Sequence, residues 1–216
     1  MSRFAHAVFP PLALGLALGL TGCQSAYYGT LQTVGIEKRE ILRNRIGDWR
    51  DDLQQAKAEV DNAYHLFATV SASEELESLY KELDKGATRV AGRVENVTGR
   101  TNGAEKIAAD IFQEWATGIG EIQNTSLRAS SEKRLQTARV RYQSLLDSMR
   151  NAEEKMALVG TAFRDRVIFF KHNLTEQAVS DLKTSAEDMR REIQPMNQAI
   201  DVATAEADAF VSTLPD

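Results

Sequence analysis

The sequence predicts an all-α fold: an elongated, antiparallel, up-down-up-down helical bundle with coiled-coil-like heptad packing and a protruding two-helix tip. Three observations carry that expectation. No proline occurs between Pro11 and Pro195, and proline is the residue a helix interior tolerates least. Ala, Glu, Arg and Leu, all strong helix formers, are abundant. Apolar residues recur at alternating steps of three and four, the spacing that keeps one helical stripe against a partner. The same features argue against a β-sandwich or barrel. At 43% hydrophobic and 26% charged residues the chain is too apolar for a disordered one.

Residues 1–22 read as a cleaved lipoprotein signal peptide rather than as structure. Arg3 supplies positive charge, and Val8 to Leu20 is an apolar run. That run is too short to cross a bilayer of ~30 Å as a helix. It ends in Leu20-Thr21-Gly22-Cys23. The small residues admit the backbone to a narrow peptidase site, and the Cys23 thiol is the nucleophile that accepts a diacylglycerol. This segment resembles the lipobox of bacterial lipoproteins, which implies lipidation of Cys23, cleavage before it and acylation of the new amine. Two or more acyl chains hold a protein stably on a membrane. Gln24 stands where an Asp would favour retention in the inner membrane. The expected address is therefore the periplasmic face of the outer membrane. Residues 23–35 form the lipidated N-terminus, as linker or early helix, and residues 36–216 a single bundle domain.

Four seams follow. The first runs Leu42, Ile46, Trp49, Leu53, Ala56, Val60, Ala63, Phe67, Val70 without a slip. The second runs from Leu76 through Tyr80, Leu83, Ala87, Val90, Val94, Val97, Thr101, Ala104, Ala108, Ile111, Trp115 and Gly118 to Ile122. The third holds Leu135, Ala138, Tyr142, Leu145, Met149, Ala152, Met156, Val159, Phe163 and Phe170, interrupted by Arg166. The fourth holds Leu182, Ala186, Met189, Ile193, Met196, Ile200, Ala203, Ala207, Phe210 and Leu214. Helices are expected at about 36–70, 74–123, 126–172 and 175–213, each within ~3 residues. Capping boxes are expected at Ser71/Glu74 and Asn173/Glu176, and cap residues at Asn124-Thr125-Ser126. The register across Thr98–Gly103 favours one continuous second helix over a turn at Asn102-Gly103. Pro195 should kink the fourth helix. Counting equal lengths from the closed end puts Trp49 roughly level with Val94, Ala152 and Met196, buried near that kink.

Charge is partitioned. Residues 126–172 hold ten bases and five acids, and residues 175–216 three bases and nine acids. These two helices are expected to neutralise each other, leaving Lys133, Arg134, Arg139 and Arg141 as a solvated or paired flank. At the start of the first helix, Lys38, Arg39, Arg43 and Arg45 are expected to pair with Asp201, Glu206 and Asp208, with Arg43 meeting Glu206.

Catalytic and metal chemistry finds little to work with. The formal net charge is −5, which gives no general nucleic-acid footprint. One cysteine excludes an intramolecular disulfide and a multi-cysteine zinc site. Three histidines, His6, His65 and His172, lack the Glu-x-x-His spacing of di-iron bundles. Asp61 and His65 lie four apart and read as a surface contact. No phosphate loop or nucleophile motif occurs. The chain is expected to be no enzyme, with no catalytic residue, no cofactor and no metal.

Several segments resemble a family of uncharacterised bacterial lipoproteins grouped as domain of unknown function 2959. They are Ala26-Tyr27-Tyr28, Val34 to Leu42, Ser126-Leu127-Arg128, Phe170-Lys171-His172-Asn173-Leu174 and Glu206 to Phe210. The resemblance implies a periplasm-facing, all-helical lipoprotein and carries no activity or site residues.

The expected role is therefore a lipid-anchored, non-enzymatic scaffold or interaction protein of the envelope. The alternative is a chaperone-like or binding module using an apolar groove at the bundle tip. Its partners would be membrane lipid, through Cys23, and an envelope protein, with no nucleic acid. The candidate surface is the tip, with Phe112, Trp115, Ile119, Ile122, Leu127 and Leu135, together with Tyr27 and Tyr28, where the N-terminal segment could fold back as a lid. The Phe169-to-Leu174 turn at the other end reads chiefly as a bundle closure.

Overall fold

The computed structural model describes residues 38–71 and 75–214. They belong to one compact unit, Lys38–Asp216. Four helices make it up: α1 (Lys38–Thr69), α2 (Leu76–Glu121), α3 (Thr125–His172) and α4 (Glu176–Val211). Each packs on the next, and α1 closes the ring against α4. Two of the connections are three residues long, 122–124 and 173–175, which forces antiparallel neighbours. The Tyr27, Tyr28 and Cys23 expectations and the lid lie outside the described residues. No described helix is long and apolar enough to cross a membrane.

The α1 seam is buried at every expected position from Leu42 to Val70, with Trp49, Leu53, Ala63 and Phe67 fully so. A strict alternation of three and four holds the stripe against both neighbours, so one row of side chains serves α2 and α4 together. On α2 the seam drifts. Leu79, Ile107 and Ile119 are buried where Tyr80, Ile111 and Gly118 were expected to carry the core. An ideal helix rotates ~20° per heptad against a 3.5-residue repeat. Over the 46 residues of α2 that drift moves the buried stripe from one side of the seam to the other. On α3, Ala138 is only half-buried, and Val167 takes the place beside the polar Arg166.

Helix α2 runs unbroken through Thr98–Gly103. Packing explains one of the glycines there: a Cβ on Gly103 would come 3.0 Å from the Arg45 guanidinium, which lies across α2 at that point. Gly99 faces open space, and nothing in the packing requires glycine there. Pro195 sits on the exposed side of α4, and the helix continues through it.

The helix ends correct one expectation. The Ser71/Glu74 box falls partly outside the described residues, at Glu74; α2 begins at Leu76, with Glu75 extended and making no side-chain cap bond. Asn173 closes α3 instead of opening α4: its amide donates to the Phe169 carbonyl at 2.8 Å. Thr175 caps α4, accepting the Ala178 N–H at 3.1 Å. Both residues satisfy orphan backbone groups, but Asn173 serves the carbonyls of the helix it ends. Asn124 does cap α3 as expected, accepting from Leu127 N–H at 3.0 Å.

Ion pairs fix the register. Arg50 meets Asp208 at 2.6 Å and Lys57 meets Asp201 at 3.2 Å, joining α1 to α4. Arg89–Glu59 (2.6 Å) and Arg100–Asp52 (2.7 Å) join α1 to α2. Arg150 reaches Glu105 at 2.7 Å between α2 and α3. On α2 and α4 Trp49 therefore lies level with Thr101 and Ala207, both buried, and not with Val94 and Met196; on α3 the Arg150–Glu105 pair puts it within a turn of Met149 and Ala152, as expected. Met196 and Pro195 lie about four turns further along α1. Equal counting failed because the closed ends are not flush: the Lys57–Asp201 pair sets α1 against α4 about thirteen residues away from the register that would align Thr69 with Glu176. The same offset separates Arg43 from Glu206. Arg43 donates to the Leu214 carbonyl at 3.2 Å, and Glu206 lies beside Ser144.

Trp49 is the largest fully buried side chain. Its replacement by alanine would leave a cavity between α1 and three helices. Trp49→Ala is expected to cost ~3–5 kcal/mol in urea unfolding followed by helical circular dichroism. A loss within experimental error would contradict this layer.

Candidate functional site: the two-helix tip

The four-helix part ends in an aromatic layer. Tyr142 of α3 stands edge-on to Phe112 of α2 (centroids 5.7 Å) and to Phe210 of α4 (5.6 Å). At the same end Lys38, the first residue of α1, pairs with Glu114 of α2. Beyond these contacts only α2 and α3 continue among the described residues. Helix α2 carries on from Trp115 to Glu121, about 10 Å at 1.5 Å per residue.

The tip holds itself together with polar bonds. The Trp115 indole N–H donates to the Ser131 hydroxyl at 2.9 Å. Arg128 folds back on the turn: its Nε and a terminal nitrogen donate to the Ile122 carbonyl at 2.9 and 2.6 Å. That carbonyl would otherwise be an orphan at the end of α2. Ile119 and Leu135 are buried, Phe112, Trp115 and Ile122 half-buried, and Leu127 is 62% exposed. The expected stripe is thus brought together except at Leu127, which stands outside it. The helical period turns Leu127 away from the α2–α3 contact once Asn124 has started α3.

Next to the aromatic layer lies a polar cluster that the heptad pattern did not reveal. Arg150 donates to Glu105 (2.7 Å), Asn102 (2.8 Å) and Glu153 (3.0 Å). Glu153 is buried, and its Oε1 has no partner among the described residues. Burial works against the Arg150 charge, but the bonds to Glu105 and Glu153 outweigh it and raise the pKa above its usual value. The Tyr142 hydroxyl is also buried without a partner. Burial first, and then the Glu105 charge, push it well above the usual phenol range, while Arg150 pulls the other way. No group of three His, Cys, Asp or Glu residues poised for a metal occurs among the described residues.

Charge on the tip departs from the expectation for α3 and α4. Only Arg166–Glu192, at 3.7 Å, joins the two helices as an ion pair among the described residues. Asp201 and Asp208 of α4 turn instead to α1. Arg139 lies over the Phe112 ring, 6.0 Å from its centroid. Lys133, Arg134 and Arg141 are exposed and form no ion pair among the described residues.

The raised Tyr142 pKa gives a pH prediction. An unfolded tyrosine loses its proton near pH ~10, whereas the folded one keeps it. Stability is therefore level below that pH and falls as pH rises above it. Tyr142→Phe removes this fall. Urea unfolding of the two forms should agree within ~1 kcal/mol at pH 8, since the hydroxyl is unpaired, and should diverge in favour of the variant at pH 10.5–11. Parallel losses in both forms would mean that Tyr142 ionises freely.

Comparison with curated proteins and with solved structures finds no match. One family model matches, that described as a protein of unknown function (DUF2959), over residues 27–214. With the match spanning all four helices, the chain belongs to the DUF2959 family.

Proposed function

We propose that the chain is a lipid-anchored, periplasm-facing protein of the bacterial outer membrane that acts as a non-enzymatic scaffold or interaction module. The observation that carries this reading is Leu20-Thr21-Gly22-Cys23 at the end of a short apolar run. Cys23 is the only cysteine in the chain, so a lipid would occupy its one thiol. The described unit supports a mechanical role. Its long helices hold an apolar core, and many of its polar side chains serve register and caps. The tip favours a scaffold over a chaperone-like groove, because Ile119 is buried and the Trp115 N–H is already bonded.

Growth of the expressing bacterium with an alkyne fatty acid tests the anchor. The wild-type chain should take up the label and stay with the membrane fraction, and Cys23→Ser should lose both. An unlabelled wild-type chain would refute the anchor. Cross-linking in cells tests the role: one stoichiometric envelope protein is expected, and a broad set of unfolded outer-membrane chains would favour the chaperone-like alternative.

A further inference from the structure

We infer that the outer face of α3 at the tip rests on an anionic lipid surface, that of the membrane holding the anchor. The inference depends on the anchored reading above and names the partner of its tip.

The face is built by helical spacing. Lys133 and Val140, and likewise Arg134 and Arg141, lie seven residues apart and so share neighbouring stripes. All four are exposed, Val140 at 70%, and Leu127 adds a second exposed apolar side chain at 62%. Helix α4 ends at Val211, level with the aromatic layer, so it leaves Lys133 and Arg134 uncovered, while Val140 and Arg141 stand at the layer itself and are exposed there. The three bases form no ion pair among the described residues. The acids of the tip lie elsewhere. Asp110, Glu114 and Glu121 line a groove on α2. Glu132 shares a stripe with Arg139, seven residues on, and Arg139 lies over Phe112 of α2. The tip is thus basic on its α3 side and acidic on its α2 side.

Bases interspersed with exposed apolar side chains suit a lipid headgroup region, where the charges meet phosphates and the apolar groups reach the acyl boundary. Chain order favours the same partner. The unit is entered at Lys38, at the end from which the tip projects. Cys23 precedes Lys38 by only fifteen residues, a tether of at most ~54 Å. An anchored chain therefore keeps this end within reach of its own membrane.

The test uses the full chain carrying Cys23→Ser, so that no acyl chain contributes. Partitioning is measured on vesicles of phosphatidylcholine and on vesicles with 30% phosphatidylglycerol, and the readout is the ratio of the two. The leader, with its Arg3 charge, adds the same to the ratio of every variant. Lys133→Glu/Arg134→Glu/Arg141→Glu is compared with Lys85→Glu/Lys171→Glu/Lys183→Glu, a variant with the same charge change at the far end. Helical circular dichroism and thermal unfolding verify that both variants fold. Each base near an anionic surface is worth roughly fivefold in binding. The tip variant is therefore expected to lower the ratio at least ~10-fold, and 0.5 M salt to abolish the wild-type preference. The far-end variant should change the ratio less than ~3-fold. Equal losses in both variants would show a response to net charge alone and overturn the proposal. So would an unchanged ratio. A vesicle-free dimer that the tip variant makes monomeric, with the ratio unchanged, would assign the face to a second copy and also overturn it. Failure of acyl labelling on the wild-type chain would instead refute the anchor, independently of this ratio.

Discussion

Everything in this bundle hangs on the uninterrupted α1 seam. Trp49, Leu53, Ala63 and Phe67 are fully buried, and no polar residue interrupts the row from Leu42 to Val70. A stripe this regular can face two helices only if both present matching small and large positions. Thr101, Met149 and Ala207 do so around Trp49, and Phe163 does so against Phe67, with ring centroids 5.4 Å apart. Hydrophobic burial supplies the driving force but is indifferent to sliding by a heptad. The choice among registers falls to the flanking charges, Arg50–Asp208, Lys57–Asp201, Arg89–Glu59 and Arg100–Asp52. Exposed pairs contribute only ~0–1 kcal/mol each, so their effect lies in discriminating between registers rather than in bulk stability.

That division of labour has a consequence at the open end. Asp201 and Asp208 of α4 are drawn to α1, and Arg150 and Arg164 of α3 turn to Glu105 and Asp84 of α2. The N-terminal part of α3 is left with bases that the bundle does not neutralise. The same end carries the aromatic layer of Phe112, Tyr142 and Phe210, which seals the core where α1 and α4 stop. Core and tip are thus separate in composition. The core is apolar and locked, whereas the tip is charged and held by Arg128 and the Trp115–Ser131 bond.

The elements legible in the sequence were those governed by period. All of α1, the fold class, the continuity of α2 through Gly99 and Gly103, and the Asn124 cap follow from spacing and local capping chemistry. The family also showed, through short segments spread along the chain. What the sequence concealed depends on how helices are set against one another. A count from the closed end could not know that α1 and α4 are offset there by about thirteen residues, so it displaced the α4 side of the Trp49 layer and the Arg43 partner. Asn173 is equally apt at either side of a turn, and only the backbone decides that it ends α3. The Arg150 cluster was hidden because Asn102 and Glu105 lie on α2 while Arg150 and Glu153 lie on α3, and only the pairing of the two helices brings them together. Of the expected tip residues, Leu127 alone falls outside the apolar stripe, because its position depends on the first turn of α3 rather than on the seam.

The register of α1 against α4 is the central claim, since the layer around Trp49, the offset of the closed end and the extent of the tip all follow from it. In a Cys23→Ser background, cysteines at Arg50 and Asp208 should be joined rapidly by a bismaleimide matched to the ~10 Å spacing of packed helices. Cysteines at Arg50 and Gln194 should not be joined, because the observed register separates them by fourteen residues, about 21 Å along the axis. Efficient cross-linking of the second pair, with none in the first, would contradict the account.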